Sequence, residues 1–211
     1  MRILVLGATG TTGSLLVDVA LAAGHEVTAL VRNRQKLPER RGLQVVAGDV
    51  RRVEDLVGAA KQADALVSTL GVGSTRTPND LILDVTRSVI TAAGETGLRR
   101  VLFQSAFGTG ASHPKSSVFL RLGYRLAPAV FQDKAAGEEL LMVSGLDWTI
   151  VYPGVLTNGP RSGKVTATDL AVLQRLPGVP RIARADVAEF LLDVATTGSW
   201  NQRMAVLSVR K

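Results

Sequence analysis

The sequence predicts an α/β fold, a Rossmann-type doubly wound parallel sheet, and three observations carry that prediction. Short β-rich apolar runs alternate with helix-period segments. The runs are apolar at consecutive rather than alternate positions. A glycine-rich turn joins the first run to the first helix. Strands that are apolar throughout are buried on both faces, which requires parallel neighbours with helices covering each side.

In chain order, Ile3–Leu6 is expected as the first strand, Ser14–Ala23 as a helix ending at Gly24, and Glu26–Val31 as the second strand, completing a β-α-β unit. Leu43–Ala47, Val53–Lys61 and Ala65–Thr69 repeat the alternation, followed by a helix near Asn79–Thr96 and a strand at Arg100–Gln104. Further on, a helix is expected around Gln132–Ser144, a strand at Trp148–Tyr152, a Gly/Pro-rich loop at Pro153–Gly163, a helix at Ala185–Thr196 and a last strand at Met204–Val209. Segment Ser105–Arg125 mixes Gly, Pro, Ser and large apolar residues and is expected as a flexible wall over a site. Within Val118–Val130, the apolar residues Phe119, Leu120, Leu122, Leu126 and Val130 suit either a core or an interface, so the oligomeric state stays open. With 211 residues and no shift of composition, the expectation is one domain over 1–211 with a small C-terminal substrate-side portion.

Composition removes several chemistries. The chain has no Cys, which excludes disulfides, thiol nucleophiles and Cys-ligated zinc, and with only two histidines, His25 and His113, no metal site is expected. The apolar run at the N-terminus is too short for a signal peptide, and no later stretch reaches the ~18 apolar residues of a membrane span. A cytoplasmic protein without membrane contact is expected. A net charge of +7 invites a nucleic-acid reading, but no aromatic-rich sheet motif or zinc module supports one. Between positions 32 and 52 stand Arg32, Arg34, Lys36, Arg40, Arg41, Arg51 and Arg52 against only Glu39 and Asp49, so this stretch alone supplies +5.

The turn Gly7-Ala8-Thr9-Gly10-Thr11-Thr12-Gly13 directly follows a strand and opens a helix. In that setting one glycine permits the turn, a second admits a pyrophosphate to the backbone, and a third allows close helix–strand packing; helix N–H groups then face the phosphates. Hydroxyls of Thr9, Thr11 and Thr12 add donors. The alternative is a glycine turn that binds nothing. NAD binders usually place an acid at the end of the second strand for the ribose 2′-hydroxyl, whereas an Arg accommodates a 2′-phosphate. Here that strand runs into Arg32-Asn33-Arg34-Gln35-Lys36, which points to NADP(H), with Arg32 and Lys36 as its contacts. Asp49 and Val50 after the third strand, and Leu70 and Gly71 of Leu70-Gly71-Val72-Gly73 after the fourth, occupy strand ends where ligands sit in such sheets.

Taken in order, GATGTTG at 7–13, LVRNRQKLP at 30–38, GDV at 48–50, QSAFG at 104–108, DKAAGEELLMVSGLDWTIVYPG at 133–154 and RADVAEFLLD at 184–193 resemble the NAD(P)-binding NmrA-like group of atypical short-chain dehydrogenases/reductases, which includes the biliverdin/flavin reductases. The resemblance covers nearly the whole chain. It implies Ser105 as an active-site serine beside nicotinamide and substrate, and Phe107 as an apolar wall for a planar substrate. It further implies Lys134 as a cofactor-contacting and catalytic residue bridging ribose hydroxyls, and Pro153, Gly154 and Val155 as backbone presented to the nicotinamide carboxamide. Two departures follow. Classical members carry a Tyr four residues before the Lys, where this chain has Val130, and neither Tyr124 nor Tyr152 has that spacing. The biliverdin reductases carry a His in the loop that here holds Gly154.

The chemistry left is hydride transfer to an acceptor that needs positioning more than acid catalysis: an NADPH-dependent reductase of flavins (FMN or FAD as substrate), biliverdin-like compounds, quinones or similar planar acceptors. The alternative is a non-catalytic NADP(H)-binding redox sensor that reports through a partner. A nucleotide-sugar epimerase is a third possibility, against which the missing Tyr speaks.

Overall fold

The computed structural model describes residues 1–71, 80–176 and 178–209. Its strands are β1 (Arg2–Leu6), β2 (Glu26–Val31), β3 (Leu43–Ala47), β4 (Ala65–Ser68), β5 (Arg100–Gln104), β6 (Asp147–Pro153), β7 (Val155–Thr157), β8 (Val165–Asp169), β9 (Arg181–Ala183) and β10 (Arg203–Val209). The α-helices are α1 (Thr11–Ala22), α2 (Val53–Ala60), α3 (Leu81–Thr96), α4 (Val118–Tyr124), α5 (Pro128–Met142) and α6 (Arg184–Thr197), and short 3-10 turns span Arg34–Lys36 and Gly110–Lys115.

Eight strands form one sheet in the order β3-β2-β1-β4-β5-β6-β10-β8. All neighbours are parallel except β8, which runs antiparallel to β10. The doubly wound α/β prediction therefore stands, with an antiparallel edge strand added. Alternate residues of the continuous apolar runs supply the two faces: Leu4, Leu6 and Leu30 join the core beneath α2, α3 and α5, while Ile3, Val5, Ala29 and Val31 join the one beneath α1 and α6. The strand order reverses between β1 and β4, and at such a switch point a crevice opens at the carboxyl ends of the strands.

Several expectations need correction. The loop expected at Pro153–Gly163 contains β7, which pairs with β9 in a separate two-stranded sheet, and neither β8 nor β9 was expected. These strands are three to five residues long and mostly half-buried, so they carry no continuous apolar run. Met204–Val209 does form the last strand in sequence, but β8 rather than β10 occupies the sheet edge. The helix expected at Gln132–Ser144 starts earlier, with Pro128 in its first turn, where a missing N–H costs nothing. Ser105–Arg125 contains regular structure, the Gly110–Lys115 turn and α4. Ser112 Oγ accepts from the Gly108 amide and donates to the Thr109 carbonyl, and Lys115 Nζ reaches the Leu170 carbonyl at 2.5 Å, tying the segment down. Of the apolar residues there, Leu120 enters the core while Phe119, Leu122 and Leu126 are exposed. Asn79, Val72 and Gly73 lie outside the described residues.

One contact positions the later half of the site. α5 lies so close to α3 that a Cβ on Gly137 would come within 2.8 Å of Ile82 Cγ2 and 3.0 Å of Thr86 Oγ1. α3 has no side-chain cap of its own; instead buried Asp133 on α5 accepts the Ile82 and Leu83 amides at 3.0 Å each. A carboxylate at a helix N-terminus satisfies orphan donors and complements the dipole, so this pair fixes the register of α5, and with it Lys134 and Glu138.

Candidate active site

Every predicted loop reaches the same edge of the sheet. The glycine turn follows β1, Arg32 follows β2, Asp49 follows β3, Leu70 follows β4, Ser105 follows β5 and Pro153 ends β6.

Around β1 the site is backbone. Gly7 takes φ +85°, a left-handed conformation that suits glycine, and its carbonyl accepts the Gly10 amide at 2.9 Å. A Cβ on Gly13 would overlap that same carbonyl oxygen, so the third glycine is demanded by helix–turn contact. α1 begins after Gly10 with no side-chain cap, and no acid stands in its first turn. The first amides of a helix have no intrahelical acceptor, so those of Thr11, Thr12 and Gly13 are free for an anion. Thr9 and Thr11 are exposed and Thr12 is buried. At the end of β4, Thr69 Oγ1 donates to the Leu6 carbonyl at 3.1 Å, and the Thr69–Leu70 backbone lies against Gly7. Gly71 is exposed.

The basic stretch divides sharply. Arg34 pairs with Glu39, Arg40 with Asp18 at 2.5 Å, and Arg52 with Glu54, while Arg51 stands 3.9 Å from Asp84. Arg32 and Lys36 are exposed and have no ionic partner among the described residues. Asp49 is partly committed: its Oδ1 accepts the Arg51 amide at 3.0 Å, and its own amide donates to Asp55 at 2.8 Å. Val50 is buried in the core.

Around β5 and β6 the site is side chain. Ser105 is buried at the end of β5, its amide bonded to the Val151 carbonyl at 2.8 Å, and its hydroxyl donates to Glu138 Oε1. Tyr152 Oη donates to the other carboxyl oxygen, Oε2, at 2.7 Å. Glu138 is only 3% exposed, and burial pushes its pKa up against the opposing effects of both hydrogen bonds and of Lys134. Burial likewise lowers the Lys134 ammonium, opposed by Glu138 and Asp133. Tyr152 is raised by burial and by Glu138. Sequence reasoning set Tyr152 aside for its spacing and did not single out Glu138. The only signal was Glu138 standing four residues after Lys134, on one helix face with it.

Phe107 is 1% exposed, so its ring belongs to the core and cannot be the wall of an open substrate site. Its carbonyl accepts from Tyr124 Oη, and burial pushes the Tyr124 phenol up to about 12. Tyr124 packs against Phe131 with centroids 3.9 Å apart and ring planes tilted by 36°. These two rings, with Gly108, Thr109, Gly110, His113, Pro128 and Ala135, line a cleft of about 270 Å³ directly beyond Ser105-Ala106-Phe107; Arg121 and Arg125 stand at it. His113 therefore lines the cleft, whereas His25 lies 3.4 Å from the terminal amine. In the β6 loop, Pro180 approaches so closely that a Cβ on Gly154 would overlap its carbonyl, which also accepts the Val155 amide at 2.7 Å. The Pro153 carbonyl accepts the Phe107 amide at 2.9 Å. Those groups of Pro153 and Val155 are thus already engaged, and Gly154 is needed for this contact rather than standing in for an imidazole. A larger cavity of about 520 Å³, lined by Arg2, Glu26, Gly42 and Gln62, lies at the amino ends of the strands, away from all of these groups. No cluster of three or more potential metal ligands occurs among the described residues, and no described helix is long and apolar enough to cross a membrane.

This edge, with a bare glycine cradle and uncapped helix at the switch point, defines a dinucleotide-binding site. The chain belongs to the NAD(P)H-binding family, whose model matches residues 7–197, and within it to the NmrA-like group. It is 30% identical over 174 residues to the "Uncharacterized sugar epimerase YhfK" of Bacillus subtilis (strain 168), covering 79% of this chain and 78% of that one. Among solved structures, it is similar to ChuY, an anaerobilin reductase of Escherichia coli O157:H7, at TM-score 0.83 and 26% identity, covering 100% of this chain and 98% of ChuY. The fold is also shared with a short-chain dehydrogenase/reductase of Veillonella parvula DSM 2008 in complex with NADP, at TM-score 0.82 and 18% identity, over 98% of this chain and 94% of that one.

Proposed function

We propose that the protein is an NADPH-dependent reductase that passes hydride to a planar conjugated acceptor carrying carboxylate or phosphate groups, such as a flavin nucleotide or a linear tetrapyrrole. The cleft lined from Gly108 onward, three residues past Ser105 in the chain, carries this reading: an aromatic pair, Tyr124 and Phe131, gives a face for a flat ring system, and Arg121 and Arg125 supply cations. Neither guanidinium has an ionic partner among the described residues, so both can meet an anion.

The glycine turn and the free amides of α1 would hold the pyrophosphate, and Arg32 with Lys36 would hold the 2′-phosphate. When bound, the dinucleotide supplies the hydride. Ser105 then offers a hydroxyl to the acceptor atom that gains charge. Lys134, half-buried one turn before Glu138, is available to the ribose hydroxyls. The reductase identity of ChuY, alike over its full length, supports the same class of reaction here.

Steady-state oxidation of NADPH and NADH with FMN, FAD, riboflavin, quinones and biliverdin tests the proposal. Turnover is expected with NADPH preferred and with the anionic acceptors favoured over riboflavin. Tight NADPH binding with no turnover on any acceptor would overturn it and would leave a non-catalytic sensor.

A further inference from the structure

Glu138 is the most buried acid at the site, yet none of the steps above uses it. It sits under the Gly110 turn, so near that a Cβ on Gly110 would overlap its Oε2. Its two oxygens meet Ser105, just after β5, and Tyr152 on β6, and Lys134 and Glu139 are its charged neighbours on α5.

A serine hydroxyl has one proton to donate, and a carboxylate is an acceptor only. While Glu138 is ionised, Ser105 spends its proton on Oε1 and has none for a ligand. If Glu138 is a carboxylic acid, Oε1–H donates to Ser105 Oγ, Oε2 still accepts from Tyr152, and the Ser105 proton is released toward the site. We infer that Glu138 is a positioning residue whose protonation sets the direction of the Ser105 hydrogen bond, so that Ser105 is a donor to the acceptor only when Glu138 is neutral. Burial, which favours the neutral carboxyl, agrees with this arrangement.

The step balances, with the reduced nicotinamide dinucleotide as reductant and the acceptor as oxidant. As the acceptor takes up hydride, Ser105 donates a hydrogen bond to the atom that gains charge, that atom takes its proton from water, and the Glu138 proton stays on Oε1. The catalytic part rests on the reductase reading above; the proton's place on Glu138 does not.

Two measurements separate them. The first is an infrared titration of the protein without acceptor. A carboxylic-acid C=O stretch is expected at neutral pH that disappears at higher pH, is absent in Glu138→Gln, and shifts in Ser105→Ala and in Tyr152→Phe. The second is the pH profile of kcat. Wild type should lose about tenfold per pH unit well above the Glu138 pKa, the limiting slope of a single ionisation. Glu138→Gln, whose amide donates to Ser105 at every pH, should keep its rate through that range, and Glu138→Ala should be slow throughout. Absence of the infrared band, or its indifference to Ser105→Ala, would overturn the inference whatever the turnover. So would a Glu138→Gln profile falling in parallel with wild type. Absence of turnover with an intact, Ser105-sensitive band would instead overturn the reductase reading while leaving the Glu138 proton where it is placed.

Discussion

On the β1 side of the carboxyl edge the site is made of backbone; on the β5 side it is made of side chains. Gly7, Gly10 and Gly13 shape the first half by what they lack, and its free donors are helix amides. The second half is Ser105, Glu138 and Tyr152 in one buried hydrogen-bonded group, held in register by Asp133 and Gly137 against α3. A backbone cradle tolerates no added volume but is indifferent to proton position. A buried side-chain group tolerates conservative replacement but depends on where each proton lies. The first suits holding a charged ligand still, the second suits chemistry.

The sharpest way to break the comparison is at Gly13. Gly13→Ala should cost about 3 kcal/mol or more, since its Cβ meets a backbone oxygen that cannot move aside, and should remove NADPH binding; thermal unfolding and calorimetric titration check both. On the other side, Asp133→Ala should cost about 2 kcal/mol by leaving the Ile82 and Leu83 amides unpaired, and should lower turnover by loosening α5 while weakening NADPH binding far less than Gly13→Ala does; denaturant unfolding and calorimetry would show this. Arg32→Ala should weaken NADPH by about tenfold to a hundredfold, the worth of a charge-assisted contact, and leave NADH nearly unchanged. Equal loss of both would remove the 2′-phosphate assignment. Smallest, Arg121→Ala or Arg125→Ala should raise KM for FMN by about fivefold to tenfold and leave riboflavin unmoved.

The same division governs what the sequence made legible. The first half was readable because its rules are local: glycines at fixed offsets between a strand and a helix, and cations at the next strand's end. The +7 charge took on meaning only in the structure, where Arg34, Arg40 and Arg52 are matched by Glu39, Asp18 and Glu54 and Arg51 stands by Asp84, so that of the seven cations Arg32, Lys36 and Arg41 have no ion pair among the described residues, Arg32 and Lys36 being those at the end of β2. In the second half Ser105 was found by family resemblance, while Glu138 was hidden because one more Glu on a helix carries no mark of burial. Tyr152 was hidden because its partner is 14 residues away, at a distance no motif spans. Phe107 was placed in the right segment but on the wrong side of it: its ring faces inward, and Tyr124, from α4, supplies the aromatic surface. Strands β8, half-buried throughout, and β9, only three residues long, had no apolar run to reveal them.

Holding the dinucleotide and carrying out the reaction thus belong to different halves of one edge. Ser105→Ala tests it most directly, with Kd for NADPH and kcat for FMN reduction measured on the same preparation. An unchanged Kd with kcat lowered about a hundredfold is expected; a matching loss in both, or no loss in kcat, would refute the division.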